Sequence, residues 1–218
     1  MVTWDFSALS PYKSIILHGI GETALVSVLS FALACVLGLI AYLGCANHLR
    51  PVRVISSIYV EVIRNIPMLV VLFFIYFGLG EKGLNFSPFW AAVAALAINN
   101  GAYLAEIFRA GFQAVPSGLH EAASALGLGP FQTFRHVTFM PGIRNIIPAA
   151  TNQFIMLMLF SSVASTVAFP DLTYELQRIN SATLRTFEVF TVGAALYYVL
   201  STAIALAAGL LSRRMYRW

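Results

Sequence analysis

Charge is scarce in this chain. Asp, Glu, Lys and Arg make up 10% of its 218 residues, where soluble domains carry about 25%. So few charged groups cannot cover the surface of a water-soluble fold of this size, and that class is excluded. Cysteine is equally rare. Cys35 and Cys45 form neither a disulfide framework nor a metal-ligand spacing, and read as small apolar core residues. His18, His48, His120 and His136 are dispersed along the chain and point to no metal. There is no glycine-rich phosphate-binding loop, no internal repeat and no low-complexity tract. The first 22 residues carry Asp5, Lys13, His18 and Glu22, without the basic start and apolar core of a cleavable leader. They read as a short interfacial helix with Ser10 as cap and Pro11 in its first turn.

What the chain does have is long charge-free runs. Between Glu22 and Arg50 lie 27 residues without Asp, Glu, Lys or Arg, between Lys82 and Glu106 lie 23, between Arg144 and Asp171 lie 26, and between Glu188 and Arg213 lie 24. A helix needs roughly 20 residues to cross a hydrocarbon core of about 30 Å. A fifth run, Asn65 to Gly80, reaches that length only if its helix begins near Val54 and carries Glu61 and Arg64 at one end. The runs are continuously apolar rather than alternating, which favours helices over a barrel. We therefore expect an all-α membrane protein, one transmembrane domain over residues 1–218 with five spans, at about 22–45, 54–79, 88–109, 143–169 and 188–211.

The net charge of +4 does not require a nucleic-acid partner. With residues 44–64 in the cytoplasm and sides alternating from there, Arg50, Arg53, Arg64, Arg109, Arg135, Arg144, Arg213, Arg214 and Arg217 share one side. Lys13, Lys82, Arg178 and Arg185 share the other. Nine against four, under the positive-inside rule, puts the N-terminus outside and the C-terminus inside. The connections near 80–88 and 170–187 are then short external loops, and the longest polar segment, 110–142, is cytoplasmic. Within it, Ser117 to Gly127 reads as a short helix. Ser117 caps it, Glu121 sits near its positive end, and Gly127 stops it in a left-handed conformation. Leu119, Ala122, Ala123 and Leu126 make its apolar stripe. A helix without a core of its own must pack on the bundle, on another protein, or on both.

Glu121-Ala122-Ala123, then three residues and Gly127, resembles the cytoplasmic coupling motif of importer-type ABC permeases. The surroundings narrow the resemblance to the polar amino-acid branch. Upstream, Tyr59-Val60-Glu61, Arg64-Asn65, Pro67, Phe73 through Gly78, Gly101 through Gly111 and Val115-Pro116 are similar to it. Downstream, so are Asn152-Gln153-Phe154, Pro170 through Thr173, and Phe187 through Phe190. The resemblance spans about residues 19–215. It implies a multi-pass subunit of the bacterial cytoplasmic membrane. That subunit pairs with a second permease, sits on two ATPases that bind ATP and Mg, and receives amino acid from an extracytoplasmic binding protein. The subunit itself hydrolyses nothing, and needs no cofactor. Glu121, Ala122, Ala123 and Gly127 are then the ATPase-coupling residues. The alternative class is an ion-coupled carrier or channel without an ATPase. It requires acids at mid-membrane, whereas the acids here cluster at membrane edges.

Polar residues inside the spans are the other candidates. Asn99, Asn100 and Tyr103 lie mid-span, and Ser161 and Ser162 recur in the fourth run; both groups either bind helices together or line the solute path. Serines also bond back to their own helix. Glu61 with Arg64, and Glu106 with Arg109, stand at i, i+3 near the inner ends of two spans. They serve either as local pairs or as a gate or latch. Pro67 and Pro148 kink or start helices. The chain also departs from the family pattern. Met140 stands where relatives usually have Pro, Val71 where many have Gln, and Leu159-Phe160 where many have Lys and an acidic or amide residue. The apolar Val71 and Leu159-Phe160 favour a paralogous second permease over an identical one, with the partner supplying charged contacts to the solute.

Overall fold

The computed structural model describes residues 4–215, with side chains through residue 210. Arg217, and the side chains of Arg213 and Arg214, lie outside the described residues. Every regular element among them is helical, and four helical runs are long and apolar enough to cross a membrane, five if one bent pair counts as a single span. The chain is an all-α membrane protein.

The first span begins earlier than the charges suggested. Asp5, not Ser10, accepts the amide of Ser7 and caps a 3₁₀ turn over Phe6–Tyr12. The turn feeds without a break into α1 (Lys13–Cys45). Pro11 lies inside that turn, two residues before α1 begins. At 1.5 Å per residue α1 alone is about 50 Å long, more than the hydrocarbon needs, so Lys13, His18 and Glu22 ride on one continuous rod instead of forming a separate interfacial helix.

The expected span 54–79 is broken. α2 (Arg50–Arg64) and α3 (Met68–Phe73) are separate helices, and the run from Met68 to Lys82 is turned 110° from α2. Pro67 has no N–H and excludes helical geometry at Ile66. Asn65 Nδ2 closes α2 by donating to Glu61 O at 2.7 Å. A π turn (Phe74–Gly78) and a 3₁₀ turn (Gly80–Lys82) extend α3.

Ser87 caps α4 (Pro88–Gln113) by accepting from Trp90 N. α5 (Ser117–Ala125) follows Pro116, which takes the cap position; Ser117 is the first helical residue and makes no side-chain cap. Gly127 is left-handed at φ 74, and Leu128 N reaches back to Ala123 O, closing the helix as expected. α6 (Pro130–Thr133), a π turn (Phe134–Thr138), α7 (Phe139–Phe160) and a 3₁₀ run (Ser161–Val167) then make one rod, with Pro148 inside α7. The segment expected as a loop at 170–187 contains α8 (Leu172–Thr183), capped by Asp171. α9 (Thr186–Met215) ends the described chain.

α1 and α4 pack in parallel through small residues. A Cβ on Gly38 would stand 2.8 Å from Leu104 Cβ, and one on Gly101 2.9 Å from Leu37 Cβ. Without water between helices, such close backbone approach is what holds a membrane bundle together. Val26, Leu72, Leu96, Leu157 and Phe169 fill the centre of the main core. Leu9, Leu172, Leu176, Ile179 and Val189 form a second cluster around α8.

Candidate functional site

α5 turns two residues inward and the rest outward. Ala123 is buried, and His120 Nε2 lies 3.1 Å from Thr138 Oγ1. Glu121 and Ala122 are exposed. Leu119 is exposed, and Leu126 is 78% exposed. Of the expected apolar stripe, therefore, only Ala123 packs on this chain. Leu119, Ala122 and Leu126 present an uncovered apolar edge beside Glu121. Phe131, 72% exposed just beyond Gly127, extends that edge.

The i, i+3 pairs are rearranged. Arg109 binds Glu106 through Nε at 3.1 Å and through Nη2, and turns Nη1 to Gln113. Arg64 reaches across to Glu106 at 3.9 Å instead of pairing with Glu61. Its guanidinium stands 5.5 Å from the centre of the Tyr103 ring, and Tyr103 donates its hydroxyl to Arg64 O at 3.2 Å. Arg64 ends α2, which packs against α4. Two cavities flank this contact. One, of about 410 Å³, is lined by Arg64, Tyr103, Glu106, Asn145 and Gln153 among others. The second, of about 500 Å³, is lined by Glu61, Arg64, Asn65, Tyr103, Glu106 and Arg109 among others. The four charged candidates thus converge with Tyr103 on one cleft whose formal charges cancel.

The remaining polar candidates do not reach the cleft. Asn99 and Asn100 are buried. Asn100 Nδ2 donates to Leu96 O, and its Oδ1 accepts from Gln153 Nε2 at 2.6 Å, so it ties α4 to α7. Ser161 and Ser162 spend their hydroxyls on Met158 O and Leu159 O, three residues back, as Ser165 and Thr166 do on Ser162 O and Val163 O. Sequence reasoning passed over Asn145 and Gln153 as cleft residues. Their spacing with Ala149, four residues each way, was the signal, since it puts all three on one face of α7.

A second polar cluster joins α1, α8 and α9. Asp171 accepts from Tyr174 N and from the Tyr197 hydroxyl, Thr173 Oγ1 lies 2.8 Å from that same hydroxyl, and Thr23 Oγ1 accepts from Leu172 N. Burial pushes the Asp171 carboxyl up to about 7. The Tyr174 and Thr173 amides and the Tyr197 hydroxyl oppose that rise, and the nearby Glu175 carboxylate adds to it. Near the start of the chain, the hydroxyl and amide of Ser7 hold half-buried Asp5 below the usual carboxylate range.

The chain is similar to known proteins over nearly its full length. Residues 34–217 match the model of the binding-protein-dependent transport system inner membrane component family. A probable glutamine ABC transporter permease protein of Bacillus subtilis (strain 168) is 36% identical over 211 residues, 97% of this chain and 98% of the relative. The glutamine transport system permease protein of Escherichia coli (strain K12) is 32% identical over 220 residues, again 97% and 98%. The crystal structure of an amino acid ABC transporter with histidines contains a chain that is 38% identical. It superposes with a TM-score of 0.93, covering 98% of this chain and 100% of that one.

Proposed function

Since this chain belongs to the family of binding-protein-dependent transport system inner membrane components, we propose that it forms half of the membrane pathway of a bacterial importer for polar amino acids. It is a multi-pass permease subunit of an ABC transporter, a transport component and not an enzyme. The alternative of an ion-coupled carrier or channel falls with that assignment. A permease of this family works with ATPase and binding-protein partners. In this reading ATP and Mg belong to two ATPase subunits beneath the bundle, and the bundle lies in the cytoplasmic membrane with α5 facing the cytoplasm.

The observation that carries the reading is the uncovered edge of α5. Glu121, Ala122 and Leu126 point away from the chain that holds them, as a helix made to seat in another protein's groove does. Ala122 keeps that approach close, Glu121 offers a carboxylate to a basic or amide group, and Gly127 fixes where the helix stops. The cleft of Glu61, Arg64, Tyr103, Glu106 and Arg109 supplies the solute path or its latch, because Arg64 holds Glu106 only loosely at 3.9 Å. The amino-acid class comes from the relatives. Val71, Leu159 and Phe160 put no charge on the path, which supports a paralogous second permease that contributes the charged contacts.

Reconstituting this chain with its ATPase, binding protein and partner permease tests the proposal. Glu121→Ala and Gly127→Pro are expected to insert normally and to lose solute-stimulated ATPase activity. Wild-type stimulation in both sinks the coupling role. A transport-competent complex in which this is the sole permease sequence refutes the paralogous pairing.

A further inference from the structure

α5 must pass movement on to the bundle, and the structure shows one side-chain route by which it can. The Thr138 hydroxyl lies 3.1 Å from His120 Nε2 and 3.4 Å from Thr133 O. The imidazole tautomer sets which member of the His120–Thr138 pair donates. The contacts run from α5 through Thr138 to the carbonyl five residues earlier. Ser124 turns its hydroxyl back onto His120 O. Among the described residues, His120 is thus the side chain of α5 that hydrogen-bonds to the following rod.

Thr138 sits at a mechanical junction. It is buried, and it ends the π turn Phe134–Thr138, where Phe139 N bonds five residues back to Phe134 O. Such a widened turn is a place where a helix can shift register. Beyond it, α7 is locked to α4 at successive levels. Gly142 lies against Phe112, and Gly111 lies against Ile146, leaving no room for a Cβ on either glycine. Asn145 Nδ2 donates to Gly111 O at 3.1 Å, and Gln153 reaches Asn100. A pull delivered at Thr138 therefore moves α7 and α4 together, while a pull that stops short of it is absorbed in the π turn.

We propose that His120 and Thr138 form a strut that transmits displacement of α5 to α7. They are positioning residues; neither touches nucleotide or lines the cleft. This rests on the reading of α5 as the coupling helix. Without the strut, ATP hydrolysis continues while less solute moves for each ATP consumed.

The test uses the complete transporter in proteoliposomes and reads solute moved per ATP hydrolysed. Thr138→Val keeps the shape and removes the hydroxyl, and His120→Phe keeps a ring and removes the N–H. Each is expected to lower the ratio about fivefold, the equivalent of one net hydrogen bond, with ATPase subunits still bound. Thr138→Ser and His120→Gln keep the donors and are expected to keep the ratio. A wild-type ratio in Thr138→Val and His120→Phe overturns the strut. So does an equal loss in Thr138→Ser, or loss of the ATPase from the Thr138→Val complex, which makes the contact one of assembly. Glu121→Ala run in parallel separates the two ideas. If it stays coupled, the reading of α5 fails; if it uncouples while Thr138→Val does not, the strut alone fails.

Discussion

Gln153 on α7 donates its side-chain amide to Asn100 on α4 at 2.6 Å, and both residues lie within membrane-spanning helices. Asn100 is fully buried, so its carbonyl oxygen has no water to replace Gln153. Gln153→Leu is expected to lower stability by about 1–2 kcal/mol, read as thermal unfolding in detergent. Asn100→Leu combined with Gln153→Leu should cost less than the sum of the single changes, because the double variant leaves neither amide unpaired. Strict additivity counts against the tie.

The α1–α4 contact makes glycines unequal. Gly38→Ala places a Cβ 2.8 Å from Leu104 Cβ and 3.0 Å from Gly101 O, and is expected to cost about 1–3 kcal/mol through overpacking. Gly21 lies on the same helix with nothing within 4 Å of its would-be Cβ. Gly21→Ala should be neutral or slightly stabilising, since alanine favours helix. Equal melting temperatures for the two variants contradict the packing assigned here.

Asp171 makes stability depend on pH in a defined direction. Its carboxyl is pushed from 3.8 to about 7 in the fold, so between about pH 4 and pH 7 the folded chain holds a proton that the unfolded chain releases. Stability from this group is complete near pH 4, falls as pH rises toward 7, and is level above that. Asp171→Asn can still cap α8 and carries no charge. It is expected to melt above the wild type at pH 8, by about 2–4 °C for each kcal/mol gained, and to converge with it only as pH falls to about 4. A gap that widens toward acid reverses the assignment.

The proposed orientation is open to labelling. In a background lacking Cys35 and Cys45, Lys82→Cys should react with a membrane-impermeant thiol reagent added outside intact cells. Arg50→Cys should react only once the cytoplasmic face is opened. The opposite pattern inverts the topology, and with it the exposure of α5 to the cytoplasm.

The charge-free runs made four of the membrane-crossing rods legible, because hydrocarbon tolerates charge poorly at any position along a helix. The Ser117–Gly127 helix was legible as well, since its glycine stop is a local matter of backbone conformation. The break at Pro67 was in plain view, yet hydropathy favoured one continuous span. Window averages carry no penalty for the missing N–H. α8 falls in the segment read as a short external loop, where Asp171, Glu175 and Arg178 sit. Together with Leu172, Leu176 and Ile179 they instead spell a capped amphipathic helix. The convergence of Arg64 on Glu106 was not legible at all, because it depends on the angle at which α2 crosses α4. Spacing within one helix favoured Glu61 as the partner.

The 110° turn between α2 and the Met68–Lys82 run has a consequence for the lipid around it. Fifteen residues at 1.5 Å rise about 22 Å, several ångströms short of a typical hydrocarbon core. α2, lying across that direction, adds little height. On this flank the Met68–Lys82 run is shorter than a hydrocarbon core, and Asn65, Arg64 and Glu61 sit just before it, at the bend. Neighbouring lipids compensate by compressing toward the short wall, at a modest elastic cost for each ångström of mismatch. The pull is uneven, since α1, which packs directly against α2 where Gly44 meets Ser56, is longer than the membrane is thick. Bilayer thickness therefore bears on the tilt of the whole subunit, and thinner membranes relieve the strain at the flank where the charged cleft opens.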